Sequence, residues 1–410
     1  MTTDSGGFRS SRHTVRCPIC LDEFVWEDER QLYERIDTPV AAERYRLLEI
    51  PATTSAIKRR DRELDAWKRC PDSDGELTAP DGSRIDHYLP EAYAKYGRPL
   101  VIGFVGFAES GKSHLLASMV GEIEYGRLET LGLDADPVDA GVHQNYLSEF
   151  VDPLFNDGEA IQSDGIGTSE SGAEFKDAFL LSNPDLGVTR AVTFFDISGE
   201  ILAERSPYTQ FILAMDALIF VVDPDVAIRD QAGGSSGWNR PLRRDNAFAT
   251  VLHRFRDQEA AREKPVAIAI TKCDRWRFEQ PVSSWLRRDG LSPYRLARQP
   301  DLAAIWAESA DAFAFLHQNH AQAWLRPYSL FSKATLHFVS ATGSEAVELI
   351  SPRKGDPNAP AVGVRKFARG VRPKRVLDPL AAILAMSGML GDEARTVGGD
   401  SGRPEEGGDR

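Results

Sequence analysis

The strongest constraint on this chain is the run Gly106-Phe107-Ala108-Glu109-Ser110-Gly111-Lys112-Ser113. It reads G-x-x-x-x-G-K-S. It sits between an apolar run, Leu100 to Val105, and a helix-prone run, Lys112 to Glu124. Strand, glycine-rich loop and helix in that order form a phosphate-binding loop; a glycine-rich turn with a chance lysine is the competing reading. Gly106 and Gly111 allow the backbone to close on phosphate oxygens with no Cβ in the way. The candidate phosphate contacts are the residues from Glu109 through Ser110, Gly111, Lys112 and Ser113 to His114, whose amides add to the positive end of the helix dipole. In such a loop Lys112 bridges the β- and γ-phosphates, and the Ser113 hydroxyl ligates Mg²⁺. The fold class that follows is α/β.

At 410 residues, 42% of them hydrophobic, the chain can form two folded units or one large domain with insertions. The formal net charge of -13 argues against non-specific nucleic-acid binding by the whole chain. Residues 1–16 are polar, with no signal-peptide pattern, and no apolar run has the length of a membrane span. The expectation is a soluble, cytoplasmic protein. Four cysteines in a chain this long make no disulfide scaffold.

Two of those cysteines form Cys17-Pro18-Ile19-Cys20, a C-x-x-C turn that aims two thiolates at one tetrahedral ion. Cys70 and His87 complete a Cys₃His set, giving Cys17, Cys20, Cys70 and His87 as candidate zinc ligands. The long spacing makes residues 27–68 an insertion between the two halves, with Ala42–Leu47 and Ile57–Trp67 charged and helix-prone. The other reading is a free C-x-x-C. A RING finger lacks its further ligands here, and no βαβ pattern frames a redox motif.

From residue 98 strands and helices alternate. Candidate strands are Leu100–Val105, Phe179–Leu181, Ala191–Phe195, Ala217–Val222, Val266–Ile270 and Leu336–Val339. Helical patterns fall at Gln144–Phe155, Leu202–Met215, Asn246–Arg262, most of 275–333, and Leu380–Leu390. The organisation predicted is a loose N-terminus (1–16), a zinc-ribbon-like module (17–97), an α/β domain (98–350) with a helical insertion (275–333), a basic linker and C-terminal helix (351–390), and a disordered tail (391–410).

Three further motifs follow the phosphate loop, each at the end of a predicted strand. Asp196-x-x-Gly199 offers a carboxylate for the Mg²⁺ shell and an amide that reports the γ-phosphate. Thr271-Lys272-x-Asp274 offers a carboxylate that accepts two hydrogen bonds from the guanine edge, a pair that adenine cannot donate. Ser340-Ala341 places an amide where it can meet the guanine O6. Strand C-termini are where open α/β sheets bind ligands.

With these motifs in this order, residues 98–345 resemble the TRAFAC-class P-loop GTPases. More narrowly, the chain is similar to the bacterial double-GTPase families of predicted conflict or defence systems. That likeness rests on the zinc-knuckle-like start, the long segment before Asp196 and Arg375-Val376-Leu377-Asp378-Pro379-Leu380. The resemblance implies a P-loop GTPase fold, a central mostly parallel sheet flanked by helices, and GTP or GDP with Mg²⁺ as ligands. It implies Mg²⁺ ligation by Ser113, Asp196 and a first-switch threonine, taken as Thr168, and Thr271 in place of the more usual asparagine, with a weakened link to the phosphate loop.

One departure concerns Glu200, where several families carry a water-orienting glutamine. A carboxylate there repels the γ-phosphate unless compensated, so slow intrinsic hydrolysis completed by a partner's arginine, or one of this chain such as Arg205, is expected. The catalytic candidates are Lys112, Thr168, Gly199 and Glu200. The function expected is a partner-regulated GTP-hydrolysing switch. The alternatives are a nucleotide-gated scaffold with little turnover, which recruits partners through the zinc module, and an ATPase. The basic stretch Arg365–Arg375 is read as a solvated linker, or else as a contact for a partner's acidic face, nucleic acid or anionic lipid.

Overall fold

The computed structural model describes residues 14–27, 31–36, 45–71, 86–107, 109–161, 173–197, 211–229, 246–256, 259–295, 300–351, 362–367 and 369–391. Its centre is a seven-stranded sheet. In chain order the strands are β1 (Leu100–Val105), β2 (Asp134–Pro137), β3 (Ala173–Asn183), β4 (Val188–Ile197), β5 (Ala217–Val222), β6 (Val266–Ile270) and β7 (Ala334–Phe338). Across the sheet they run β7-β6-β5-β1-β4-β3-β2. The pairs from β7 to β4 are all parallel, while β3 is antiparallel to both β4 and β2. The protein is thus mixed α/β with a mostly parallel central sheet flanked by helices, the fold class expected.

Every residue of β1, β5, β6 and β7 is buried, which explains their unbroken apolar sequences. Five helices of note follow the chain: α1 (Lys112–Glu124), α2 (Ala140–Tyr146), α3 (Asn246–Arg256), α4 (Leu302–Gln318) and α5 (Asp378–Met386). One side of the sheet packs on α1 and α5, including Leu115, Leu116, Val120, Leu380 and Leu384. Each such leucine or valine contributes about 1.5–3 kcal/mol by leaving water. Gly121 of α1 admits the Phe155 ring, since a Cβ there would lie 2.6 Å from it. The other side packs on α3 and on the N-terminal module.

That module holds a hairpin, Thr14–Arg16 with Glu23–Val25, and a four-stranded antiparallel sheet. In spatial order its strands are Tyr45–Leu47, Leu32–Arg35, Trp67–Arg69 and Tyr88–Pro90. Val15, Ile19, Trp26, Leu89 and Tyr93 share one apolar core with Val101 and Val105 of β1. Asp139 fastens the contact: it caps α2 through the amides of Gly141 and Val142, and its other oxygen accepts from the Tyr88 amide at 2.9 Å.

Some expectations need correction. The helix-prone Ala42–Leu47 ends in a strand at Tyr45–Leu47, because pairing with Leu32–Arg35 overrides local propensity. The pattern at Gln144–Phe155 begins earlier, at Ala140, where Asp139 supplies the cap, and passes through a π-helical turn at Leu147–Val151. Phe179–Leu181 lies in the second half of an eleven-residue strand. In the basic stretch Arg365, Arg369, Arg372 and Lys374 are exposed, as a solvated segment would have them, but Arg365 and Lys366 lie in the hairpin Val347–Ser351 with Val362–Lys366, and the Arg375 side chain is only 4% exposed.

Candidate functional site

The phosphate loop leaves β1 and turns through two residues with positive φ, Glu109 (63°) and Gly111 (94°). At Gly106 a Cβ would lie 2.8 Å from the Val221 carbonyl oxygen and 2.9 Å from Ser110 Oγ, so only glycine fits beside β5. Lys112 Nζ donates to the Gly106 carbonyl at 3.0 Å, which folds the ammonium back over the loop. Ser113 is exposed at the first turn of α1. Amides at a helix N-terminus beside a lysine are an arrangement that can hold an anion.

The loop after β6 is bonded directly to the phosphate loop. Thr271 is buried, and its Oγ1 lies 2.7 Å from the Ser110 carbonyl oxygen and 3.0 Å from that of Val222. Threonine stands where the resemblance leads one to expect asparagine, and its hydroxyl reaches the phosphate loop because the two loops approach this closely. Lys272 has φ 51° and donates to the Glu109 carbonyl at 2.8 Å and to Asp223 Oδ2 at 2.6 Å. Left-handed backbone at a non-glycine residue costs of order 1 kcal/mol or more, and these two bonds hold it. Asp274 Oδ1 accepts from Ser340 Oγ at 2.6 Å, so a residue of the loop after β7 orients the carboxylate after β6. Ala341 is buried, and its carbonyl accepts from Ser118 Oγ of α1 at 2.8 Å.

Asp196 lies next to last in β4, opposite Phe104 of β1. Its Oδ1 is enclosed without a hydrogen-bond partner among the described residues. Burial pushes its carboxyl up, while Lys112 and Lys176 pull it back. An enclosed carboxylate oxygen near the Lys112 charge fits the donor set of a hard cation. Thr168, Gly199 and Glu200 lie outside the described residues. His114 does not face the phosphate loop with its ring. Its Nε2 accepts from the Ile161 amide at 3.1 Å, and its ring meets Phe367 edge-on at 5.8 Å. Burial first, then Lys272 and Arg365, lower its pKa to about 4, so the ring is a neutral acceptor.

The second cluster is in the N-terminal module. One ligand atom each from Cys17, Cys20, Cys70 and His87 fall within 4.8 Å of one another. Cys20 Sγ is 3.8 Å from Cys70 Sγ, and Cys17 Sγ is 3.2 Å from His87 Nε2. Two sulfurs at about 2.3 Å from one tetrahedral zinc stand about 3.8 Å apart. The first turn is tight: Leu21 has φ 66°, its amide bonds the Cys17 carbonyl, and the Ile19 amide points at Cys17 Sγ at 3.4 Å. The second pair is joined by the Cys70 amide bonding the His87 carbonyl at 3.0 Å. Burial raises the Cys17 thiol strongly, and the neighbouring Cys20 and Cys70 add to this. A cation is what reverses that order in thiol clusters.

Sequence reasoning missed Asp223 and Asp225, which follow β5 as Val222-Asp223-Pro224-Asp225. Asp223 pairs with Lys272, and Asp225 holds Arg275 Nη1 at 2.5 Å and Trp276 Nε1 at 3.1 Å. Two acids just past a buried apolar strand were the available signal.

No family model matches the chain, and no curated protein matches it. Solved structures similar to it include a bacterial selenocysteine-specific elongation factor, EF-Sec, at 15% identity and TM-score 0.23. The S. cerevisiae Ski7 GTPase-like domain is similar at 12% identity, with TM-score 0.27 when bound to GTP and 0.30 when bound to GDP and inorganic phosphate. Each match covers 59% of this chain, which spans 26% of the elongation factor chain and 43% of the Ski7 chains.

Proposed function

We propose that the chain binds GTP and hydrolyses it. The observation that carries this reading is the convergence of four separate segments on one edge of the sheet. The phosphate loop, Asp196, Thr271–Asp274 and Ser340–Ala341 follow β1, end β4, follow β6 and follow β7, and direct bonds join the first to the third and the third to the fourth. The loop amides and Lys112 bind the phosphates. Asp274 takes the N1–H and N2–H₂ edge of guanine, with Ser340 fixing its other contact. Lys272, stretched between Glu109 and Asp223, lays its aliphatic stem along the base. Ser113, Asp196 and Thr168 would hold Mg²⁺, which supplies charge neutralisation at the phosphates when bound. Gly199 and Glu200 are assigned to the γ-phosphate end, with Glu200 making intrinsic turnover slow and dependent on a partner's cation.

Cys17, Cys20, Cys70 and His87 are assigned to a structural Zn²⁺, which would tie the first hairpin to the four-stranded sheet. Regulation by protein partners and a place in a bacterial defence system rest on the sequence resemblance. The deciding experiment is phosphate release from GTP and from ATP, with Mg²⁺, for the wild type and Lys112→Ala. GTP-selective release lost in the variant supports the reading. ATP-selective release refutes the guanine assignment, and tight GTP binding without multiple turnover turns the protein into a nucleotide-gated scaffold.

A further inference from the structure

The second strand of the hairpin, Val362–Lys366, and the residues after it reach both ends of the proposed nucleotide site. At one end, Lys366 forms an antiparallel bridge with Glu159. The Ala160 amide donates to the Arg365 carbonyl at 2.8 Å, the Phe367 amide donates to the Gly158 carbonyl at 2.7 Å, and Lys366 Nζ is 3.0 Å from Glu159 Oε1. Phe367 then packs on His114, which follows Ser113 in α1 and accepts from Ile161. This end is therefore attached to the helix that opens from the phosphate loop.

At the other end, Lys374 forms an antiparallel bridge with Ser340 of the base loop, with amide–carbonyl distances of 3.0 and 2.8 Å. The Arg372 amide donates to the Thr342 carbonyl at 2.9 Å. Gly343, at φ 76°, presses so close that a Cβ would lie 2.5 Å from the Arg372 carbonyl oxygen. The segment is then anchored by Arg375, itself at φ 60°. Its buried guanidinium contacts Asp378 Oδ2 at 2.6 Å, Glu308 Oε2 at 2.8 Å and the Trp285 carbonyl at 3.0 Å. Glu308 in turn bonds His337 of β7 at 3.1 Å and the Phe338 amide at 3.1 Å. The carboxylates of this cluster therefore face a resident cation, so it reads as an anchor and not as a metal site.

We propose that Val362–Phe367 and Arg372–Asp378 form a strap that positions the base loop and the phosphate-loop helix relative to each other, and so sets how fast guanine nucleotide leaves. This rests on the guanine-nucleotide reading above. Ser340 orients Asp274, so its backbone position sets the base contact, and the strap supplies both backbone partners of Ser340. Phe367 and Lys374 are positioning residues.

The test perturbs one end and reads the other, in the full-length chain. Phe367→Ala removes the ring that packs on His114. Gly343→Ala forces the strap off the base loop. Amide hydrogen exchange is measured without nucleotide, and release of fluorescent GDP and IDP is measured by stopped flow. Phe367→Ala is expected to raise exchange at Ser340 and Lys374, and Gly343→Ala to raise it at Ala160 and Phe367. Each should speed GDP release about fivefold to tenfold, the equivalent of one lost backbone pair. Phe367→Ala should also narrow the difference between GDP and IDP release, which a merely looser core would leave unchanged. Exchange that rises only at the mutated end overturns the strap. Raised exchange at the far end with unchanged GDP release overturns its role in retention. A wild type that takes up no guanine nucleotide sinks the functional reading and the retention role together, whereas far-end exchange still judges the mechanical link.

Discussion

Thr271→Val tests the bond that joins the loop after β6 to the phosphate loop. The substitution exchanges a hydroxyl for a methyl at a site 1% exposed, so shape is nearly kept and one donor is lost. The two acceptors fare differently. The Val222 carbonyl keeps the Thr271 amide at 2.8 Å, while the Ser110 carbonyl loses its 2.7 Å partner. A buried carbonyl stranded in this way costs about 1–3 kcal/mol. Taking about 2 kcal/mol, a domain of roughly 150–250 residues should melt about 4–8 °C lower. Thr271→Ser is the control, because it keeps the hydroxyl and loses only a methyl, about 1 kcal/mol. Thermal unfolding by circular dichroism and GTP affinity by fluorescence titration are read on all three proteins. Valine should be the more harmful change on both, with GTP affinity down about tenfold if most of the energy was organising the loop. If serine proves the worse substitution, methyl packing and not the hydrogen bond holds the loops together, and the argument fails.

Asp274→Asn should move preference from GTP toward XTP, since an amide donates where the carboxylate accepted; two lost bonds to a charged group are worth roughly a hundredfold or more in GTP affinity, and unchanged preference in competition binding would sink the base assignment. Burial lowers the His143 pKa, but Asp177 Oδ2 at 2.8 Å and Glu124 Oε1 at 3.1 Å outweigh it and raise the value to about 9. The folded value exceeds the ordinary 6.5, so this stabilisation is complete below about pH 6.5 and disappears as pH rises through 9; urea stability of the wild type relative to His143→Gln should fall across that window by at most about 3 kcal/mol, because burial also pushes the Asp177 carboxyl up. Cys20→Ser should lower zinc content, read by atomic absorption, and lower the melting temperature of the N-terminal module; full zinc content in the variant would remove Cys20 from the ligand set.

The sheet was readable where burial leaves no choice. β1, β5, β6 and β7 are enclosed on both faces, so each shows a short apolar run that ends where the site begins. β2 was not readable. Asp134-Ala135-Asp136-Pro137 is an edge strand with alternate residues exposed, and its sequence is that of a turn; only pairing with β3 makes it a strand. In the candidate site, motif residues could be proposed because phosphate and base chemistry prescribes residue types at fixed offsets. Their supports could not be. Asp223 acts through Lys272, forty-nine positions later, and its place just past a buried apolar strand does not name that partner.

Arg375 shows why the same limit applies to charge. A run of basic residues on paper predicts a solvated surface, since a charge leaves water only when partners compensate it. Here the partners come from three places: Asp378 three residues on, Glu308 in α4, and the Trp285 carbonyl. Neither of the last two is near Arg375 in sequence. The segments that carry Trp285 and Glu308 must first come together before the arginine can be buried. That dependence runs in the other direction as well. Removing the guanidinium leaves Glu308 and Asp378 enclosed without their cation, a change that typically costs about 3–5 kcal/mol. The C-terminal segment therefore cannot be treated as an appendage to the candidate site. It is built last in the chain, yet it closes the charge balance beneath β7 and supplies the backbone against which the base loop rests.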